Sequence, residues 1–256
     1  MTHPAYAELR AVTPIASVLL ERNPTPMTLE GTNTWVLRAP GVEECVVVDP
    51  GEDDEEHLGG VAAAGPVALV LLTHWHHDHA GGAGKLAELT GAPVRALDPA
   101  LVLGAEPLAD GETVEAAGVE LRVLRTPGHT ADSVSFLVGG AVLTGDTILG
   151  RGTTVIAHPD GALGPYLDSL HRLADLPPGT AVLPGHGPEL PNAPAVASAY
   201  LAHREERLDQ VRAALAVLGP DATVRQVVEV VYADVDRSLW PAAELSVRAQ
   251  LEYLRG

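Results

Sequence analysis

Residues 67–82, VALVLLTHWHHDHAGG, join an unbroken apolar run to four histidines and an aspartate packed into positions 74–79. Few features constrain a chain more. The apolar run reads as a strand buried on both faces, because it is short, rich in Val and Leu and ends at turn residues. In extended backbone, side chains two apart share a face, so His74 and His76 can converge on one point while His77 need not. Asp78 and His79 follow as AGG turns the chain toward a helix, and they can address a neighbouring point. Imidazole and carboxylate suit Zn²⁺ or a similar divalent ion. Only 11 of the 256 residues are His, so this density reads as a metal site rather than a solvated loop.

One loop does not complete such a site. Three further apolar runs end in Gly-rich turns that carry a possible ligand: His129 in RTPGHTADS, Asp146 in LTGDTILG and His186 in VLPGHGPEL. The single cysteine, Cys45, lies inside the apolar run ECVVVDP and reads as a buried, inert thiol. A lone cysteine excludes an internal disulfide framework and agrees with a reducing, cytoplasmic setting. The first residues show no basic stretch ahead of an apolar segment, and no apolar run is long enough to span a bilayer. Neither a signal peptide nor a membrane helix is expected.

Seven runs read as strands: NTWVLRA, ECVVVDP, VALVLLTH, VELRVLRT, VSFLVGG, AVLTGDT and AVLPGHG. AGKLAELT and YLDSLHRLADL read as helices between them, which gives a β-rich α/β domain of mixed sheets covered by helices. The pattern changes after PGHGPELPNAP. From about residue 196 three short amphipathic helices are expected. Leu208, Val211, Leu215 and Leu218 stripe the first, and Val224, Val227, Val228 and Val231 the second, which a Thr223–Gln226 capping box opens. Ala243, Val247, Leu251 and Leu254 stripe the third. The expected division is residues 1–195 and 196–256.

The order H-x-H-x-D-H, Gly-His, Gly-Asp, Gly-His resembles the ligand series of the metallo-β-lactamase-fold hydrolases over almost the whole chain. That resemblance implies an αββα sandwich with a dinuclear metal site at one edge. It assigns His74, His76 and His129 to one metal, Asp78, His79 and His186 to the other, and Asp146 to both. Asp49 in VVVDPG matches an early strand-end aspartate that supports a ligand rather than binding metal. Two Zn²⁺ ions, with Mn²⁺ or Fe as alternatives, would share a water and bring its pKa to about 7, yielding a bridging hydroxide. Asp78 would orient it and take its proton. No G-x-S-x-G elbow is needed or present.

Within the family, Asp146 stands where the best-known antibiotic-hydrolysing group has Cys. Only 40 positions separate it from His186, too few for the large insertion of the RNA-processing β-CASP branch. NPTPMTLEGTNTWVL, THWHHDHAGG and the helical tail resemble the lactamase-β-2-like branch, which carries a small winged-helix-like C-terminal domain. The chain reaches LEYLRG where a wing's strands would follow, so nucleic-acid contact through a wing is not expected. Asn33, Thr34 and Arg151 are candidate substrate contacts, Arg151 because guanidinium pairs with phosphate or carboxylate.

Charge bears on the substrate. The net charge is −18, and the chain has one lysine, Lys85. Residues 201–256 hold 7 Arg against 9 acidic groups, leaving 9 basic and 25 acidic residues before them. Such a surface repels a polyphosphate backbone. The reading is therefore hydrolysis of a small-molecule ester or thioester, with no membrane partner. Cleavage of single-stranded RNA is the first alternative. A non-catalytic, metal-stabilised DNA-binding regulator is the second, opposed by a ligand set larger than a closed structural site uses.

Overall fold

Strand faces alternate between two cores, and the alternation explains why the apolar runs are unbroken. The computed structural model describes residues 5–156 and 158–255. Its first sheet takes strands in chain order: β1 (Arg10–Ala11), β2 (Ala16–Leu20), β3 (Asn33–Leu37), β4 (Cys45–Val48), β5 (Val67–Leu71) and β6 (Val94–Arg95). The second runs β11 (Ala181–Pro184), β10 (Ala141–Gly145), β9 (Val134–Val138), β8 (Val119–Arg125), β7 (Thr113–Ala116). Trp35, Leu37, Val46, Val48, Leu69 and Leu71 face the second sheet, packing on Leu121, Val123, Phe136 and Leu143. The alternate residues Val36, Cys45, Val47 and Val70 face outward onto helices. With both faces covered there is no solvent side to call for polar residues. Cys45 is fully buried, as expected.

Helices close the outer faces. On the first sheet, α1 (Glu55–Ala63) contributes Leu58 and Val61, and α3 (Ala83–Thr90) contributes Leu86. Asp54 caps α1 by accepting from the His57 amide at 2.7 Å, and Glu55 and Glu56 suit the positive end of the helix dipole. These helices are also the crossovers that the parallel pairs β4–β5 and β5–β6 require. On the second sheet, α4 (Leu163–Ala174) packs Leu163, Tyr166, Leu170 and Leu173 over Val142 and Val182. The layers run helix, sheet, sheet, helix, as the αββα expectation requires. Phe136, the chain's one Phe, is fully buried between the sheets, and Phe136→Ala is expected to cost about 3–5 kcal/mol.

The tail differs from its sequence reading. Its first helix, α5 (Ala193–Leu218), is 26 residues long rather than short. Pro194 sits in its first turn, where a missing N–H costs nothing, so the proline-rich stretch starts a helix instead of making a linker. The expected boundary near 195–196 thus falls inside one continuous helix. Ala197, Tyr200 and Leu208 pack with the second sheet's outer core, while Val211 and Ala214 pack with the tail. Of the predicted stripe, Leu218 is exposed. Helix α6 (Val224–Val231) carries the Thr223–Gln226 capping box, and α7 (Trp240–Arg255) buries Ala243, Val247 and Leu251 against it. Among the described residues the tail contains no strand.

Candidate metal centre

The apolar strands end together along one edge of the sandwich, and polar side chains gather there. His74 follows β5, and a one-turn helix α2 (His77–Ala80) presents Asp78 and His79. His129 lies between β8 and β9, Asp146 follows β10, and His186 follows β11. All seven residues assigned to metal come together.

Two triads form. His74 Nε2 and His129 Nε2 lie 3.1 and 3.0 Å from His76 Nδ1. His186 Nε2 lies 3.2 Å from His79 Nε2 and 3.1 Å from Asp78 Oδ2. Asp146 stands between them, with Oδ2 3.7 Å from His129 Nε2 and Oδ1 3.4 Å from both His79 Nε2 and His186 Nε2. Ligand atoms sharing one ion tetrahedrally at bonds of about 2.0–2.1 Å stand about 3.3 Å apart. The triads match that spacing.

The far sides of the rings decide where the lone pairs point. His129 Nδ1 donates to the Val155 carbonyl at 2.6 Å, and His186 Nδ1 to the Gly31 carbonyl at 3.1 Å. His79 Nδ1 donates to Asp49 Oδ2 at 2.9 Å, and His74 Nδ1 to Thr73 Oγ1 at 3.0 Å. With Nδ1 protonated, Nε2 of each ring is free to ligate. In the first triad two bare nitrogens thus face His76 Nδ1, a repulsive arrangement that a single proton relieves only in part. A cation between them relieves it fully. Asp146 Oδ1 is buried without a hydrogen-bond partner, which a cation would also remedy. The residues fit a pair of divalent ions.

Asp49 binds the centre together. Oδ1 accepts from the Thr73 amide at 2.8 Å, and Oδ2 from the Thr73 hydroxyl at 2.7 Å and from His79. The Thr73 hydroxyl in turn accepts from His74, so one carboxylate braces a ring in each triad. Asp49 sits at φ 54°, where few side chains are tolerated but Asp is among them, and its three side-chain hydrogen bonds hold the conformation. Gly185 is similarly forced: a Cβ there would stand 2.6 Å from His79 Cε1 and 2.8 Å from Asp146 Oδ1.

Burial depresses the pKa of His74 well below the usual value, and that of His76 to about 4. It depresses His129 too, against the opposing pull of Asp146. In the second triad the carboxylates win. Burial opposes protonation of His186, but Asp146 and Asp78 raise it to about 9, and Asp146 and Asp49 raise His79. Burial would lift Asp78, but its bond to His186 and the charge of His79 bring it to about 2.

The three candidate substrate contacts take other duties. Asn33 is buried and donates to the Pro184 and Gly187 carbonyls at 3.0 and 2.8 Å, fixing the His186 turn. Thr34 is wholly buried and donates to the Asp49 carbonyl at 2.7 Å. Both face the scaffold because the strand end they occupy packs under the ligand turns. Arg151 is exposed and paired with Glu30. Sequence reasoning passed over Trp75, 46% exposed and 4.5 Å from the His76 ring, whose indole donates to Asp160. It also missed Val155 and Gly31, whose backbone carbonyls carry no side-chain signature.

Known proteins resemble this chain in sequence and fold. The family profile described as Metallo-beta-lactamase superfamily matches residues 27–186, and that described as Beta-lactamase associated winged helix domain matches 223–255. The chain is 34% identical to the beta-lactamase-like protein 2 homolog of Drosophila melanogaster, over 92% of this chain and 86% of that one. A metallo-beta-lactamase family protein of Thermus thermophilus superposes with TM-score 0.79 at 26% identity, covering 96% of this chain and 94% of that one. TTHA1623, solved in a di-iron-bound form, superposes with TM-score 0.55 at 27% identity, covering 70% and 94%.

Proposed function

The chain belongs to the metallo-beta-lactamase superfamily and is a metal-dependent hydrolase, and from that premise we propose that it uses two zinc ions to hydrolyse a small-molecule ester or thioester. The observation that carries the dinuclear reading is Asp146, whose two oxygens face different triads. His74, His76 and His129 would hold one ion, Asp78, His79 and His186 the other. The di-iron form of a structural relative supports two ions and leaves iron as the alternative metal. Bound there, such ions supply a water of lowered pKa and Lewis acidity toward the substrate carbonyl.

The chain's own groups do the rest. Asp78 turns Oδ2 to His79 and His186 and is ionised near neutral pH, which leaves Oδ1 to orient a water and accept its proton. Asp49 and the Val155 and Gly31 carbonyls hold the imidazoles in one tautomer through the cycle.

The tail's arginines argue against an RNA substrate. Arg212 is paired with Glu205 and Asp209, and Arg225 with Glu229 and Glu244. Arg207 and Arg237 lie over the rings of Tyr232 and Trp240, and Arg204 is buried. That leaves the exposed Arg248 and Arg255, two of the tail's seven arginines, as cationic surface for phosphates. The test is a panel of acyl-thioesters, esters, lactones and single-stranded RNA, run with metal analysis and with chelator. Thioester or ester turnover, lost on chelation and in Asp78→Ala, is expected. RNA cleavage with those dependences and no acyl turnover overturns the substrate reading.

A further inference from the structure

The segment from Asp146 to Val155 touches the metal centre at both ends. Asp146 opens it, and the Val155 carbonyl at its end orients His129. Asp146 is pinned locally: the Thr147 amide donates to the Thr144 carbonyl, and the Thr144 hydroxyl to the Ile148 carbonyl at 2.8 Å. Among the described residues the far end has no such local turn. It is held from behind by two side chains one turn apart on α5. The Tyr200 hydroxyl accepts from the Leu149 amide at 3.1 Å and donates to the Gly152 carbonyl at 2.8 Å. Arg204 Nη2 donates to the Thr154 carbonyl at 2.5 Å, and Thr154 Oγ1 lies 3.1 Å from His129 Nδ1.

Arg204 is a costly way to pack a helix. It is 3% exposed, its guanidinium lies over the Tyr166 ring at 5.0 Å, and its Nε is buried without a hydrogen-bond partner. Among the described residues no carboxylate forms an ion pair with it. An apolar side chain of similar volume in such a place is commonly as stable or more so. What an apolar side chain would not do is grip the carbonyl beside the His129 anchor.

We propose that Arg204, assisted by Tyr200, is a positioning residue of the metal centre: by fixing residues 152–155 it aims His129, and so couples α5 to the three-histidine triad. The rings of the second triad hang on Asp49 and Gly31; the Gly150 amide donates to the His186 main-chain carbonyl at 2.8 Å, whereas Arg204 acts four residues further on, at Thr154, beside the His129 anchor. The inference rests on the dinuclear reading above, and it predicts an asymmetric defect.

Co²⁺ titration of the metal-free full-length chain, followed by the absorption bands of the bound ion and by chelator competition, tests it. His129→Ala and His186→Ala identify which equivalent belongs to which triad. In Arg204→Met the equivalent lost by His129→Ala is expected to bind about 10–100-fold more weakly, with altered bands. The other equivalent keeps its affinity, and the melting temperature is unchanged or higher. Arg204→Lys should restore part of the loss. Tyr200→Phe, which removes one hydroxyl, should weaken the same equivalent by about 3–10-fold. Val211→Ala, buried further along α5, should lower the melting temperature and leave both equivalents intact. Wild-type affinity and bands in Arg204→Met, or equal weakening of both equivalents, overturns the inference. If Arg204→Met does not fold, Tyr200→Phe decides by the same criteria. A wild-type chain that takes up no Co²⁺ overturns the metal-centre reading itself. Two normal equivalents in both wild type and Arg204→Met overturn the positioning role alone.

Discussion

The two triads are built from similar side chains and kept in opposite protonation states. His74 is anchored by a hydroxyl and His129 by a carbonyl, and both, with His76, are held neutral by burial. His79 and His186 have Asp49, Asp78 and Asp146 against them, and the carboxylates outweigh burial and draw protons onto the rings. The lesson is that ligand identity alone does not set how a site meets a cation. The first triad waits as bare lone pairs. The second already has its negative charge balanced by protons, and a metal ion must displace them.

The largest effect should come from the residue that belongs to both sides. Asp146→Ala removes the shared ligand, so both metal equivalents are expected to be lost and turnover to fall by at least about 10³-fold. Metal content per chain beside steady-state rates checks this; retention of one full equivalent would show that the triads are independent. Asp49→Asn comes next. Asn tolerates the same backbone region, so the turn at φ 54° should survive while the charge bracing His79 and, through Thr73, His74 is lost. Metal affinity should drop about 10–100-fold at both triads. A loss confined to the second triad would show that the Thr73 link to His74 carries nothing.

Proton linkage gives the most direct contrast. His129→Ala keeps the second triad intact, and its metal affinity should rise about tenfold per pH unit for each proton displaced, up to the His186 pKa of about 9. His186→Ala keeps the first triad, whose His76 titrates at about 4, so its affinity should be nearly flat from pH 6 to 9. Parallel slopes in the two variants would erase the distinction between the triads.

How much of this was legible in sequence follows from where the information sits. Ligands at strand ends beside glycines announce themselves by residue type and order, and so does Asp49. Six of the seven apolar runs were readable as strands because burial on both faces leaves little polar interruption, and VELRVLRT, whose Glu120 and Arg122 are exposed, by its Val and Leu content. β7 was not, because TVEA alternates exposed and buried at a sheet edge, and α1 was not, because EEHLGGVAA breaks its pattern with two glycines. Asn33 and Thr34 were in the right place with the wrong duty, since a strand-end side chain can face a ligand turn as readily as a substrate. Arg204 was invisible: in HREER it looks like one more charge on a solvated helix, and only the packing of α5 against the 149–154 segment buries it. Anchors that are backbone carbonyls leave no trace at all.

The acidic surroundings of the second triad extend beyond its ligands, and the smallest effect tests how far. Glu21 is almost fully buried, accepts from the Glu52 amide at 3.1 Å and from Asn23 Nδ2 at 3.0 Å, and supports the turn whose Gly51 amide donates to the His79 carbonyl. Burial, then the charges of Glu52, Asp54 and Asp78, raise its pKa from 4.5 to about 7 against the pull of the Glu52 amide. Between those values the folded chain keeps a proton that the unfolded chain releases. The contribution of Glu21 to the stability of the metal-free protein should therefore be full below pH 4.5, fall as pH rises toward 7, and level off above it. Allowing for solvent screening, the drop attributable to this group is about 1–2 kcal/mol. Urea unfolding at pH 5 and pH 8 should show it in the wild type and not in Glu21→Gln, which stays neutral throughout. If the two proteins lose stability in parallel, Glu21 is ionised like a surface carboxylate and the field of the second triad stops at Asp78. If the wild type falls by more than Glu21→Gln, that field reaches the far side of the 49–52 turn, where no metal ligand stands.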